Sequence, residues 1–343
     1  MLSGVEFVEL ASQGGYARWF EQLLVALGFQ KTHQHKSKDV HLYRQGGINF
    51  IVNCEPDSFA QQHYEKHGTA VCALGLATTQ LPELVERCRK HHCDFYETSV
   101  LPGEMAIPAI RTIWDGLLYL VDRTPGAPHF YEVDFEALPG MGSEAPQGFG
   151  LTRIDHITQA VAPAEFLAQV QFYKVLFDLE ANPEHDLKDA HGVVHSQSLV
   201  NKTHTVQFPV NTSHEPASST ERFRNRFSGS GVQHLAMQCD DIFHVAEHLN
   251  PHNILPIPAA YYAELKQNFG LDDALLEKMN TFNVMYDRNE SGELFHIYTR
   301  HINGLFFEIV QRNHYAGFGE RNAATRLAAQ EQEYQKLKAL LLE

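Results

Sequence analysis

The hydrophobic positions along the chain change period in a repeating order. GVEFVEL (4–10) alternates with the period of a strand, and YARWFEQLLVALGF (16–29) carries apolar residues at helical spacing. After residue 150 the order returns: GLTRIDHITQAV (150–161) reads as a strand and PAEFLAQVQFYKVLF (163–177) as an amphipathic helix. Short strands follow in each half, in KDVHLYRQGGINFIVN (38–53) and TVQFPVN (205–211). HGTAVCALGLATTQLPELVERCRKHHCDF (67–95) and GSGVQHLAMQCDDIFHVAEHLNPHNILP (229–256) each read as a strand and then a helix. GLLYLVDR (116–123) and GLFFEIVQR (304–312) close the two halves as strands. The pattern predicts an α+β chain of repeated βαβββ modules, two per half, each half an open, curled sheet around a cavity with helices outside.

Between the halves lies LPGMGSEAPQGFG, rich in Gly, Pro and small polar residues. It divides the chain into a first domain (1–137), a linker (138–150) and a second domain (151–343). The last stretch, AATRLAAQEQEYQKLKALLLE (323–343), predicts a C-terminal helix: it is built from strong helix formers and has no Gly or Pro.

Composition narrows the function classes. A formal net charge of -15 disfavours nucleic-acid and anionic-membrane surfaces and favours a small-molecule partner. No apolar run approaches a membrane span, and MLSGVEFVEL has no basic region followed by an apolar one, so a cytoplasmic protein is expected. The 5 cysteines form no CxxC pair and read as free thiols in a reducing compartment.

The candidate chemistry comes from laying the halves over each other. His156 then falls opposite Glu9, His234 opposite Cys72, and Glu308 opposite Tyr119. The polar set occurs once, which core filling does not explain, and Glu308 sits inside the apolar run LFFEIV, where an unpaired carboxylate is costly. Two histidines and a carboxylate on three strands are the donor set of a non-haem Fe(II) site with open positions. The first half is read as a scaffold without a metal.

At these residues the sequence resembles the 4-hydroxyphenylpyruvate dioxygenase family, within the vicinal-oxygen-chelate fold. The stretches that carry the resemblance are GLTRIDHITQAV, FPVN, GSGVQHLAM, IPAAYY, GLFFEIVQR and GFGERN, with LYRQGGINFIVN and HGTAVCALGLA in the first half. The resemblance implies His156, His234 and Glu308 as ligands of Fe(II). It also implies a pocket with Asn211, Gln233, Ser196 or Ser198, Phe306 and Phe318. It implies a substrate that brings its own α-keto acid, dioxygen as co-substrate, oxidative decarboxylation, and ring hydroxylation with side-chain migration to give homogentisate, a step of tyrosine catabolism. A homo-oligomer is expected.

Three departures bear on the substrate. His296 stands where the family has a glutamine, with Tyr298 following where Phe is usual. A second pocket glutamine is replaced near Ser219. After GFG the family's Gly-Asn-Phe becomes Arg321-Asn322-Ala323, which removes an aromatic that closes over the substrate ring. His296, Gln233 and Asn211 are the candidate catalytic residues, and Tyr298, Asn322 and Ala323 join the candidate substrate-binding set. Readings that compete with the homogentisate-forming activity are a hydroxymandelate-synthase-type benzylic hydroxylase, a dioxygenase of another α-keto acid, a glyoxalase-type isomerase with His296 as a fourth ligand, and a non-catalytic small-molecule binder.

Overall fold

Two mixed sheets organise the protein, seen here in a computed structural model that describes residues 2–97, 100–142, 144–301 and 304–340. The four central strands of the first sheet run in the order Leu117–Asp122, Ala70–Thr78, Leu2–Ala11, Ile48–Asn53. Those of the second run Phe306–Asn313, Gly231–Cys239, Leu151–Ala160, Gln207–Thr212. In both, the middle pair is antiparallel and each flanking pair parallel. The predicted α+β fold of two similar halves, each a curled sheet with helices packed outside it, is therefore present. The central strands read as continuous apolar runs, as strands covered on both faces do. All nine residues of Ala70–Thr78 are buried.

The register makes the internal repeat quantitative. Ala11 pairs with Asn53 and Ala160 with Asn211, so a residue of the first strand corresponds to the one 149 further on. The irregularities coincide as well: the first strand shifts register between Val5 and Phe7 and between Glu9 and Leu10, the other between Ile154 and His156 and between Thr158 and Gln159.

This register corrects the overlay read from sequence. His156 corresponds to Phe7 rather than Glu9, since they face Ala236 and Gly75 at the same step of each ladder. His234 corresponds to Ala73 rather than Cys72, since they face Thr158 and Glu9. Glu308 does correspond to Tyr119, facing Ala236 and Gly75 across the parallel pairs. Bulges insert residues that a count along the sequence does not register, and a one-residue slip moves a side chain to the other face.

The hydrophobic core is continuous across the two sheets. Phe307 of the second packs at 5.9 Å from Phe50 of the first and at 6.3 Å from Phe20 of the helix Gly14–Ala26, ring centre to ring centre. Trp114 Nε1 donates to the Tyr173 hydroxyl at 3.4 Å, with both side chains fully buried. The halves also touch through backbone at Gly46, whose φ of +53° and proximity to the Leu151 carbonyl leave no room for a Cβ. The segment 138–150 carries no helix or strand among its described residues, and residue 143 lies outside them. The C-terminal helix runs Ala323–Leu340, and the end of the predicted helix, 341–343, lies outside the described residues. Among those residues no helix is long and apolar enough to cross a membrane.

Candidate metal centre

Three adjacent strands of the second sheet carry the site. Leu151–Ala160 supplies His156, Gly231–Cys239 supplies His234, and Phe306–Asn313 supplies Glu308. Glu308 lies beside Ala236, two residues on from His234, and His156 faces that same Ala236 from the other side, so all three side chains project from one face. His156 Nε2 and His234 Nε2 are 3.3 Å apart, and Glu308 Oε2 lies 3.3 Å from the first and 3.4 Å from the second.

Donor–metal bonds of about 2.1 Å at right angles would put neighbouring donor atoms about 3 Å apart. The triangle of two imidazole nitrogens and one carboxylate oxygen thus fits a divalent transition metal, with a donor set suited to non-haem Fe(II). Among the described residues it is the one group of three or more His, Cys, Asp or Glu whose donor atoms converge in this way, and all three residues are buried.

Each donor is fixed from behind. His156 Nδ1 is 2.7 Å from Asp155 Oδ1, and Asp155 accepts two bonds from Arg312, at 2.7 and 2.8 Å. Glu308 Oε1 is 2.9 Å from His296 Nδ1, which leaves Oε2 turned to the two histidines. His296 is held in turn by Asn322 Nδ2 at 2.8 Å and the Tyr298 hydroxyl at 3.0 Å. His234 stacks on Phe306, 4.6 Å between ring centres and 19° between planes, and Phe318 meets His156 edge-on at 5.0 Å.

The electrostatics follow from burial and these partners. Burial pushes the His234 imidazole down to about 4, which keeps it in the neutral form a metal requires. For Glu308 burial acts upward but is outweighed by the hydrogen bonds of His156, His234 and His296, which hold it well below the usual carboxylate range. Asp155 is likewise held low against its burial, by Arg312 and His156. Burial alone would lower His156, yet Asp155 and Glu308 raise it.

A cavity of about 50 Å³ opens beside the triad. Of the residues expected in the pocket, Ser196, Asn211, Tyr298, Phe318 and Ala323 line it. The others stand elsewhere. His296 is fully buried behind Glu308 and acts on the carboxylate, so its expected place against substrate is corrected to a positioning one. Asn322 clamps His296 to Tyr261, whose hydroxyl it accepts at 2.9 Å. Phe306 backs His234. Ser198 accepts from Asn182 at 2.9 Å, Gln233 is buried beside His234 at a register shift, and neither is part of the cavity wall. Ser219 opens the helix Ser219–Phe227, gives its N–H to Asp189 at 2.9 Å and is also no part of that wall.

Two groups were given no role in the site from sequence. Asp155 stands in the run GLTRIDHITQAV beside His156, and its signal is that Asp-His dipeptide, which can hydrogen-bond as a pair, with a distant Arg312. Arg326, in the first turns of the C-terminal helix, lines the same cavity as Asn211 and Ser196; its spacing of three from Ala323 was the available signal.

Comparison with known proteins bears on the family. Residues 1–136 match the family described as "Hydroxyphenylpyruvate dioxygenase, HPPD, N-terminal". A 4-hydroxyphenylpyruvate dioxygenase of Pseudomonas sp. (strain P.J. 874) is 32% identical over 330 residues, 94% of this chain and 92% of that one. A 3-dehydroshikimate dehydratase of Pseudomonas aeruginosa is 38% identical over 338 residues, 97% of this chain but 52% of the relative. A solved "xylose isomerase-like TIM barrel/4-hydroxyphenylpyruvate dioxygenase fusion protein" superposes with a TM-score of 0.84 at 35% identity, covering 97% of this chain and 53% of that one. The chain therefore spans about half the length of the dehydratase and the fusion protein. These three relatives are named as enzymes, and the likeness to the dioxygenase extends over nearly the whole of both chains: the chain belongs to the 4-hydroxyphenylpyruvate dioxygenase family.

Proposed function

We propose that the protein is an Fe(II)-dependent dioxygenase of an α-keto acid, with His156, His234 and Glu308 as the metal ligands. The observation that carries this reading is the convergence of two Nε2 atoms and one carboxylate oxygen within 3.4 Å of one another at the head of a cavity. Fe(II), when bound, supplies the redox chemistry that couples dioxygen reduction to oxidative decarboxylation of the keto acid.

The chain's own residues do the rest. Asp155 and Arg312 hold the His156 ring so that Nε2 faces the site. His296 occupies one Glu308 oxygen and leaves the other for the metal. Phe306 and Phe318 pack against the imidazoles and keep bulk water from their faces. Asn211, Thr158 and Ser196 offer hydrogen bonds along the wall on which a substrate would lie.

The dehydratase name belongs to proteins about twice this length. The solved fusion carries a TIM barrel beside a dioxygenase portion, and the two mixed sheets described here are no eight-stranded parallel barrel. These facts support assigning the similarity to the dioxygenase portion. Five free thiols support a reducing, cytoplasmic setting.

The activity first in line is formation of homogentisate from 4-hydroxyphenylpyruvate. Ala323 in place of a ring-closing aromatic favours a second reading, a dioxygenase of another α-keto acid or a benzylic hydroxylase. The test is oxygen uptake by the Fe(II)-loaded protein with a panel of α-keto acids, followed by product analysis. Homogentisate supports the first reading and a different hydroxy acid the second; no uptake with any keto acid contradicts both and leaves a binding protein.

A further inference from the structure

Arg326 is a cation without an anion. Its guanidinium carbon lies 5.3 Å from the Tyr298 ring centre and 5.7 Å from that of Phe306, the ring on which His234 stacks. Its guanidinium donates to Gln330 Oε1 at 2.9 Å, a neutral acceptor one turn along the helix. Among the described residues no carboxylate lies within salt-bridge reach of it. The acids further along the same helix are taken: Glu331 by Arg222 at 2.7 Å and by His191, Glu333 by Lys336 at 2.9 Å and by Arg300.

Arg312, the arginine that supports the His156 side of the site, is by contrast paired with Asp155. A guanidinium facing a cavity between two aromatic rings retains five donors that a single amide oxygen does not satisfy.

The position sharpens the meaning. Ala323 and Arg326 are three apart on one helix, so they share a face, and both line the cavity that contains the triad. Where the family closes an aromatic over the substrate ring, this chain has a methyl group and, one turn on, a cation. The exchange removes a stacking partner for a neutral ring and supplies a fork that fits a carboxylate bidentately.

We propose that Arg326 is a specificity-determining residue and that the substrate is a keto acid bearing a second carboxylate at the end remote from the α-keto group, paired with Arg326. The proposal rests on the α-keto acid reading given above for the end of the substrate that meets the metal. The remote end is recognised by Arg326 whether or not that reading holds.

The test uses pairs that differ in the remote charge: 2-oxoadipate against 2-oxohexanoate, and 4-carboxyphenylpyruvate against phenylpyruvate. Each is titrated calorimetrically into the full chain, anaerobically, both metal-free and Fe(II)-loaded. The charged member is expected to bind at least about tenfold more tightly in one or both pairs. Arg326→Gln should bring the ratio within about twofold, and Arg326→Lys should keep part of it. Equal metal content of variant and wild type establishes that the site is intact, and Arg326→Met provides a second neutral variant if the first does not fold. A wild-type ratio near one in both pairs, or a ratio that survives Arg326→Gln and Arg326→Met, overturns the proposal. A ratio that depends on Arg326, with neither member of a pair binding more tightly to the Fe(II)-loaded than to the metal-free chain, upholds Arg326 and removes the chelation reading instead.

Discussion

Asp155 and His156 are neighbours in sequence, yet their side chains are hydrogen-bonded at 2.7 Å, although adjacent residues of a regular strand point to opposite faces. The cause is an extra residue in the strand: Ile154 pairs with Met237 and His156 with Ala236, so two steps on one side match one on the other. The bulge lets Asp155 reach the ligand beside it while Arg312 holds it from the Glu308 strand.

Asp155→Asn should therefore weaken metal binding by about 10–100-fold with the fold retained. Asp155→Ala should in addition leave Arg312 buried without its counter-charge and cost about 3–5 kcal/mol of stability. Chelator competition measures the first and urea denaturation the second. Unchanged metal affinity in both variants would remove Asp155 from the site's support.

His296 tests the same logic from the carboxylate side. His296→Ala should loosen Glu308 and leave Asn322 without its ring partner, with about a tenfold loss in metal affinity, whereas His296→Gln should restore most of it through its amide. A KM effect on keto acid with metal affinity unchanged would instead put His296 in contact with substrate.

Much of this site was legible in the sequence, for definite reasons. His156, His234 and Glu308 interrupt apolar strands, and a buried strand tolerates such residues only with partners. The repeat was visible too, through its strand–helix order. The register was not: Glu9 and Cys72 were taken as counterparts because a count along the chain does not see the bulges, and Glu9 in fact corresponds to Thr158. The remaining pocket was illegible where tertiary contacts decide it. Phe306 and His296 lie in the shell behind the ligands, and Arg326 depends on how the C-terminal helix lies across the sheet.

A buried pair in the first half gives a pH prediction. His63 has no hydrogen-bond partner for either ring nitrogen, and burial, with His67 4.4 Å away, pushes it down to about 3. Around it lie Phe59, Phe227, Lys66 and Asp115, the last bonded to His67 at 2.9 Å. The unfolded chain takes up a proton here below about pH 6.5 and the folded chain does not, so stability falls as pH drops from about 6.5 towards 3. His63→Leu should remove that slope and gain about 1–2 kcal/mol at pH 5 relative to pH 7.5, read by urea denaturation at the two values. Equal pH dependence in variant and wild type would contradict this.

The shared core predicts that the halves do not unfold separately. Phe307→Ala removes contacts to Phe20 and Phe50 across the two halves and should cost about 3–5 kcal/mol. Fluorescence of Trp114, which bonds Tyr173 of the second half, should report the same midpoint as circular dichroism. Two separated transitions would mean that 1–137 and 151–343 are independent units.

The pocket change at Ala323 is separately testable. Ala323→Phe combined with Arg326→Leu should raise kcat/KM for 4-hydroxyphenylpyruvate relative to a dicarboxylic keto acid, because a ring pair contributes about 0.5–1.5 kcal/mol beyond burial. Lower turnover of both substrates by the same factor would mean that the double change only damages the site.

The central claim, that His156, His234 and Glu308 hold one divalent metal per chain, is tested most directly by anaerobic Fe(II) titration with metal analysis of the washed protein. The expected result is one ion per chain in the wild type, and none retained by His156→Ala, His234→Ala or Glu308→Ala, while Phe7→Ala and Tyr119→Phe, at the corresponding positions of the first half, keep it. A wild type that holds no ion, or a Glu308→Ala protein that still holds one, would contradict the claim.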